Sequence, residues 1–473
     1  MSKKAAGRKR TPAKRRKGLK KVVVIGVILS LVCAGMAVAL LRPTRPEPKL
    51  SAAASVVAPI QSQGNFSPTS PAKEYIYAGG RLVATEEPTP TPTPPPPPPC
   101  TPPTTLIISE FRLRGASGAN DEFVEFYNNS DSAITVCTAD QSAGWTLAAR
   151  KADGTSASPV FTIPYGTVIP ARGHYLAVNN GTNGYSLSNY PAGNGTTATG
   201  DITYTTDIED DSGIALFVTS NTANFTTANR LDAAGFSSPS GTIPDLYREG
   251  SGLAPIGSSN GEYTFVRKMT SASGGLPQDT GVNASDFFFL STDGGIYNGV
   301  RAPLGAPGPE NLSSPVQRNT SIGVTLLDPT VSSSSSPNRV RDFTPDQANN
   351  STFGTMSIRR HVTNNTGANV TRLRFRVTDI TTFPAPSGVA DLRPRTSGAI
   401  QVTVQGVVRT VQGTTVEQPP SQPNGGGYNT TMSVGTVTLA QPLAPGASVD
   451  VQFLLGIQQT GSFRFFINVE VLP

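Results

Sequence analysis

The sequence predicts an all-β ectodomain of two sandwich domains, standing behind an N-terminal transmembrane helix and a proline-rich linker. Three observations carry that prediction. Glycine and proline number 47 and 42 among 473 residues, which favours many short strands joined by turns over a helical body. From Thr104 onward, short apolar or alternating runs are separated by clusters of Gly, Asn, Pro and Ser. Residues 1–21 carry 11 Lys and Arg and no acid, directly ahead of an uncharged stretch from Val22 to Leu41.

The basic tail (1–21) and the apolar stretch (22–41) read together as a signal anchor. Twenty residues at about 1.5 Å each match the hydrocarbon thickness of about 30 Å, and the positive-inside rule keeps the basic end in the cytoplasm. Everything after Arg42 then lies outside the cell membrane. The alternative is secretion after cleavage near Ala39, since Ala37-Val38-Ala39 offers small residues at signal-peptidase spacing. The length of the apolar run favours the uncleaved anchor, because signal-peptide cores run about 7 to 15 residues. A lipid anchor on Cys33 is disfavoured by the bulky Val32 before it. Beside an apolar span, the basic run reads as a topology signal and not as a nucleic-acid site.

Residues 42–103 form the linker, ending in the proline tract Pro88 to Pro99. Polyproline II rises about 3.1 Å per residue without internal hydrogen bonds, so residues 88–103 hold the following domain roughly 50 Å away from what precedes them. Within the linker, the segment from Glu74 to Val83 resembles a hairpin fragment found at the end of some YD-repeat proteins, and it is too short to fold alone.

The first domain spans 104–315. Its runs Leu106 to Phe111, Glu122 to Tyr127, Tyr175 to Val178 and Ile214 to Val218 read as strands. Val124 and Phe126 share one side of a strand and Glu125 the other, and Trp145, the single tryptophan, reads as a core anchor. Three early segments, Ile108-Ser109-Glu110-Phe111, Asp121 to Asn129 and Gly144-Trp145-Thr146-Leu147, resemble the lamin-tail domain in order and spacing. So do the strand entry Ile169 to Leu176, the strand Leu231-Asp232-Ala233 and the closing turn Gly305 to Asn311. The resemblance covers about 104–314. It implies an immunoglobulin-like sandwich used as a binding or tethering unit, and it places Asp121, Glu122 and Glu125 on a strand surface. Long polar insertions around Asn179 to Asp201 and Ser237 to Glu262 depart from the family and enlarge the loops, where binding is expected.

The second domain spans 316–473. Seven runs, Ser321 to Leu327, Thr355 to Val362, Val370 to Ile380, Ile400 to Val404, Ser433 to Leu439, Val449 to Leu455 and Phe463 to Leu472, suit an immunoglobulin-like sandwich. The phrase Leu443 to Ser448 is similar to turns that open strands in immunoglobulin-like cell-surface modules.

An exported pair of thiols is expected to oxidise, and a bridge between Cys100 and Cys137 would close a loop of about 37 residues, fastening the spacer to the first domain. Two isolated Cys are a poor zinc site. His174 and His361, the only histidines, fall in strand patterns away from any nucleophile motif, so the chain reads as a non-enzyme. The acidic run Asp207, Glu209, Asp210, Asp211 before Gly213 could gather around calcium, although it lacks the twelve-residue EF-hand pattern and also reads as a solvated turn. No other cofactor is indicated.

Charge divides between the domains. Residues 104–315 hold 10 bases and 20 acids, whereas 316–473 hold 12 bases, all arginine, and 8 acids. Arg372, Arg374 and Arg376 alternate with Leu373, Phe375 and Val377, placing three guanidinium groups on one strand face. With Arg359, Arg360, Arg393 and Arg395 they suggest a surface for an anionic glycan, or for docking onto the acidic neighbour domain. An ordinary solvated face is the competing reading. The expected function is a membrane-anchored, non-enzymatic binding and tethering protein for adhesion or envelope organisation, with partners among envelope proteins or anionic glycans and no nucleic acid. The alternatives are a carboxylate-based glycan hydrolase and a calcium-dependent structural surface protein.

Overall fold

The structure, a computed structural model, describes the backbone of residues 74–78 and 81–86 and, beyond them, residues 100, 103–151, 158–189, 198–238, 241–269, 274–417 and 419–473. The expected membrane helix at 22–41 and the proline tract at 88–99 lie outside these residues. Among the described residues no helix is long and apolar enough to cross a membrane. The chain divides into two units, Met1–Pro96 and Pro97–Pro473. In the first, Glu74–Ala78 pairs antiparallel with Arg81–Glu86, with a bulge between Ile76 and Tyr77.

The second unit is almost entirely strand. Its N-terminal half contains a six-stranded sheet in the order Ile202–Tyr204, His174–Asn179, Phe123–Asn128, Leu106–Arg112, Tyr263–Arg267, Phe287–Ser291. Facing it is a four-stranded sheet in the order Arg230–Ala234, Gly213–Phe217, Gly144–Arg150, Ser158–Pro164. One core unites the two sheets, with Phe111, Val124, Phe126 and Phe265 from the first meeting Trp145, Leu147, Phe161 and Leu216 from the second. Phe111 and Phe265 stack with ring centroids 5.2 Å apart, and Trp145 is fully buried, as its reading as a core anchor requires.

The expected alternation of buried and exposed residues does not hold in this half: every residue of Phe123–Asn128 and of His174–Asn179 is buried. The polar insertion after Asn179 is the reason on one side. It folds back and lays Tyr185, Leu187 and Ala198 over Phe123, Leu176 and Val178. A sheet covered on both faces loses its period-two signature.

The C-terminal half repeats the layered plan. One sheet runs Val316–Gln317, Phe465–Leu472, Arg372–Ile380, Thr431–Ser433, Thr415–Val416. The other runs Ile322–Leu326, Thr355–Asn364, Ser448–Gln459, Asp391–Arg395, and Arg339–Asp342 adds to Thr355–Asn364. Leu373, Phe375 and Val377 point into the core between these sheets as the alternation predicts, Phe375 meeting Phe453 edge to face at 4.8 Å. Arg339–Asp342, Asp391–Arg395 and Val407–Val411 are strands absent from the seven read in the sequence.

Cys100 and Cys137 are joined as a disulfide, Cα to Cα 5.7 Å, and Trp145 Nε1 donates to the Cys137 carbonyl at 2.6 Å. The bridge therefore ties the start of this unit to its largest core side chain.

Candidate functional site

The two halves meet through a seam of buried charge. Arg372–Ile380 turns its apolar side chains inward, which leaves Arg374 and Arg376 facing the six-stranded sheet of the other half. Neither is exposed: their relative accessibilities are 0% and 3%. Of the readings of this arginine face, docking onto the acidic neighbour domain is the one that Arg374 and Arg376 follow; the solvated face and the open glycan surface are corrected at these two positions, because a second layer of protein covers them. Arg374 donates from Nε to Glu470 Oε2 at 2.8 Å, with Glu417 at 3.5 Å, and also pairs with Glu310. Arg376 donates from Nε to Glu470 Oε1 at 2.8 Å and from Nη1 to Asn429 Oδ1 at 2.5 Å, and its Nη2 pairs with Glu310.

Glu310 belongs to the closing turn of the N-terminal half, so both arginines cross the boundary onto it. Behind it, His174 places Nε2 at 3.1 Å from Glu310 and Nδ1 at 3.0 Å from Glu125. Glu125 accepts from the Glu310 amide at 2.6 Å, and Glu110 accepts from the Gly308 amide at 2.9 Å and from Asn429 Nδ2 at 3.0 Å. Burial raises the Glu110 carboxyl to about 7, with the Glu125 charge adding to it, against the opposing hydrogen bond from Gly308 and the charge of Arg376. Burial also disfavours the Glu470 carboxylate, but Arg376 and Arg374 outweigh it and hold the group at about 2.

The placement of Asp121, Glu122 and Glu125 on a strand surface is likewise corrected, since all three are buried. Asp121 accepts from Arg112 Nε through its carbonyl at 3.0 Å, and Glu122 accepts from the Ile208 amide at 2.7 Å and from Asn179 Nδ2 at 2.8 Å. The donors to Glu122 come from segments more than fifty residues away and are not visible in the local pattern, whereas Asp121 is also served locally, by Arg112 and the Ser117 amide.

Of the remaining arginines of the predicted stripe, Arg372 shares the strand of Arg374 and Arg376, whereas Arg359, Arg360, Arg393 and Arg395 lie on the other sheet, so the set does not form one surface. Arg393 forks onto Asp391 at 2.7 and 2.8 Å, and Arg395 reaches Asp346 at 3.2 Å. Arg359, Arg360 and Arg372 are half-buried and form no salt bridge among the described residues.

The acidic loop does not converge. Asp210 forks onto Arg114 at 2.8 Å, Asp211 accepts from the amides of Ile256 and Gly257 at 2.9 Å each, and Glu209 pairs with Lys151. Burial, followed by the charge of Asp210, raises the Asp207 carboxyl. A different trio, Asp232, Glu249 and Asp279, brings its oxygens within 4.8 Å of one another. Arg267 lies on Asp232 at 2.7 Å and Arg230 on Glu249 at 3.0 Å, so guanidinium groups already supply the positive charge there.

The seam contains a serine, a carboxylate and a histidine, but in an order unsuited to activating a nucleophile. Ser109 Oγ donates to Glu125 Oε1 at 2.5 Å, and the carboxylate stands between hydroxyl and imidazole. The free space among these groups is about 20 Å3, about enough for one water.

Beside the seam the junction opens into a cleft of about 420 Å3. Phe288 of the N-terminal half and Tyr428 of the C-terminal half line it with ring centroids 5.1 Å apart, and the half-exposed Phe466 adds a third ring. Lys268 Nζ stands 5.0 Å from the Phe288 ring, and Arg464 pairs at 2.9 Å with Asp379, the one carboxylate among the described residues that line the cleft. Asn319 and Asn468 supply amides. Aromatic faces beside planar polar groups and cations can hold a ring-shaped polar ligand by stacking and hydrogen bonds. Sequence reading missed this cleft because its rings come from three separated strands and loops.

Searches among protein families, curated proteins and solved structures found no match to this chain.

Proposed function

We propose that the chain is a membrane-anchored, exported, non-enzymatic binding and tethering protein. It presents a lamin-tail-like and an immunoglobulin-like sandwich at the end of a proline spacer, and acts in adhesion or envelope organisation. The observation that carries this reading is the junction itself. Buried ion pairs hold two layered halves in one fixed relation, and the rim beside them offers an aromatic cleft with a single, arginine-paired carboxylate. Such a site suits the gripping of a ligand, and its described lining holds one carboxylate where glycosidic hydrolysis uses a pair. The basic groups Lys268 and Arg464 favour a carboxylated glycan as occupant. The resemblance of 104–314 to lamin-tail domains and the charge pattern of residues 1–41 support the same assignment.

The test has two arms. Protease added to intact cells should digest the region after residue 97 and spare an epitope placed at the N-terminus; a protected C-terminal region would refute export. Retention of the full chain on uronate-bearing polymers should fall in Tyr428→Ala and Phe466→Ala. Equal retention of both variants and the parent would reject the cleft as the binding site.

A further inference from the structure

A second cleft, which shares no lining residue with the junction cleft, opens in the C-terminal half. Arg339–Asp342 pairs only with Thr355–Asn364, in the register Arg339 opposite Ile358 and Arg341 opposite Met356. Cross-strand partners share a sheet face, and Ile358 and Met356 are core residues, so Arg339 and Arg341 occupy inward-facing positions where an apolar side chain is the rule. They overhang a cleft of about 330 Å3 floored by Met356, Leu392 and Ile457, with Phe463 on its wall.

Neither cation forms a salt bridge among the described residues, although the Asp342 charge acts on Arg341. The Arg339 guanidinium lies 5.8 Å from the Phe463 ring centroid and forms no side-chain hydrogen bond among the described residues. Arg341 stacks on the exposed Phe343 at 4.4 Å and donates to the Thr355 carbonyl at 2.9 Å and to the carbonyls of Asp342 and Phe353. No carboxylate is among the described residues that line the cleft. The nearest in sequence, Asp342, accepts from the Thr344 amide at 2.8 Å. Guanidinium groups above an apolar floor match an anionic head joined to an apolar tail. The volume falls at the lower end of the range of about 300–1,000 Å3 usual for small-ligand sites.

We propose that this cleft binds a carboxylate carrying a short unbranched alkyl chain, the head on Arg339 and Arg341 and the tail along Met356, Leu392 and Ile457. The recognition uses no residue of the junction cleft, so it stands whether or not that cleft takes a glycan.

The probe is octanoate, titrated into the full chain in lipid nanodiscs with 13C-labelled methionine methyl groups. The Met356 signal is identified by its loss in Met356→Leu. The proposal expects that signal to move saturably with octanoate, to stay in place with acetate or 1-octanol, and to need at least about tenfold more octanoate for the same movement in Arg339→Gln/Arg341→Gln. An unmoved Met356 signal overturns it, as does octanol acting as well as octanoate, or octyl phosphate binding about tenfold more tightly than octanoate. The comparison among the four probes on the parent chain needs no variant, so it decides the matter even if the double substitution fails to fold.

Discussion

Arg376 donates from Nε to Glu470 Oε1 at 2.8 Å within one half of the folded unit while its Nη2 pairs with Glu310 of the other. One side chain thus carries both a cross-strand contact and the contact between halves. Removing one member of a buried pair strands the other charge, which costs about 3–5 kcal/mol. Arg376→Met is therefore expected to destabilise the unit by that amount. It should also uncouple the halves. The single tryptophan, Trp145, sits in the core of the N-terminal half, so its fluorescence reports that half alone. In the parent, urea unfolding followed by Trp145 emission and by far-ultraviolet circular dichroism should coincide, whereas in Arg376→Met the two curves should separate. Coincident curves in the variant would mean that contacts other than the charge seam join the halves.

Buried carboxyls, in the seam and elsewhere in the N-terminal half, set a pH dependence. Glu110, Glu122 and Glu249 are raised from 4.5 to about 7, 8 and 8, in each case chiefly by burial, with Glu125 and Asp232 adding to the first and third. A raised carboxyl binds its proton more tightly in the folded state. Its contribution is therefore fully present below about 4.5 and is lost as pH climbs through the folded value. Glu470, held at about 2 by its arginines, works in the other direction: its contribution is present above 4.5 and lost as pH falls toward 2. The thermal midpoint should accordingly be highest at mildly acidic pH and decline toward pH 8, each raised group tilting the curve by at most about 1.4 kcal/mol per pH unit. Glu110→Gln should flatten the part of the decline between pH 5 and 7. A midpoint that rises steadily from pH 5 to 8 would contradict the assignment.

The Cys100–Cys137 bridge closes a 37-residue separation, for which the chain-entropy model gives about 3–4 kcal/mol. Cys137→Ser should lose about that much, and the urea midpoint measures it. Because the Cys137 carbonyl also receives the Trp145 indole, the variant is expected to red-shift tryptophan emission before global unfolding. Unchanged emission would show that the indole contact survives without the bridge.

Residues 372–377 show what a sequence can and cannot say about such a structure. Alternation correctly separates Leu373, Phe375 and Val377 from Arg372, Arg374 and Arg376, because side chains of a strand leave it on opposite faces. It is silent on what lies beyond the polar face, and water and a second sheet of acids leave the same local pattern. Glu125 poses the same problem from the other half. The disulfide was legible because only two thiols follow the apolar stretch. Arg339–Asp342 and Asp391–Arg395 escaped notice because their charged residues and Pro394 depart from strand composition, and both lie at sheet edges, where proline and charge are tolerated. The junction cleft and the second cleft were beyond local reading altogether, since their linings are assembled from segments far apart in the chain.

The acidic loop gives a last prediction, in which metal and protein donors compete for the same oxygens. Asp211 adopts a left-handed backbone, φ 57°, and its two carboxylate oxygens accept from the amides of Ile256 and Gly257. Asp210 is forked by Arg114 and also accepts from Ser258 Oγ at 2.8 Å. These bonds tie the loop to two distant segments, and a calcium ion would have to displace them to collect the same ligands. Adding millimolar calcium or a chelator should move the thermal midpoint by less than about 1 °C. Asp211→Asn keeps a residue that accepts the left-handed conformation but turns an amide group toward one of the two backbone donors, so it should cost about 1–3 kcal/mol. Glu209→Gln, which breaks only the exposed pair with Lys151, should cost under about 1 kcal/mol. A calcium-dependent rise in the midpoint that disappears in Asp211→Asn would reverse this account and make the loop a metal site.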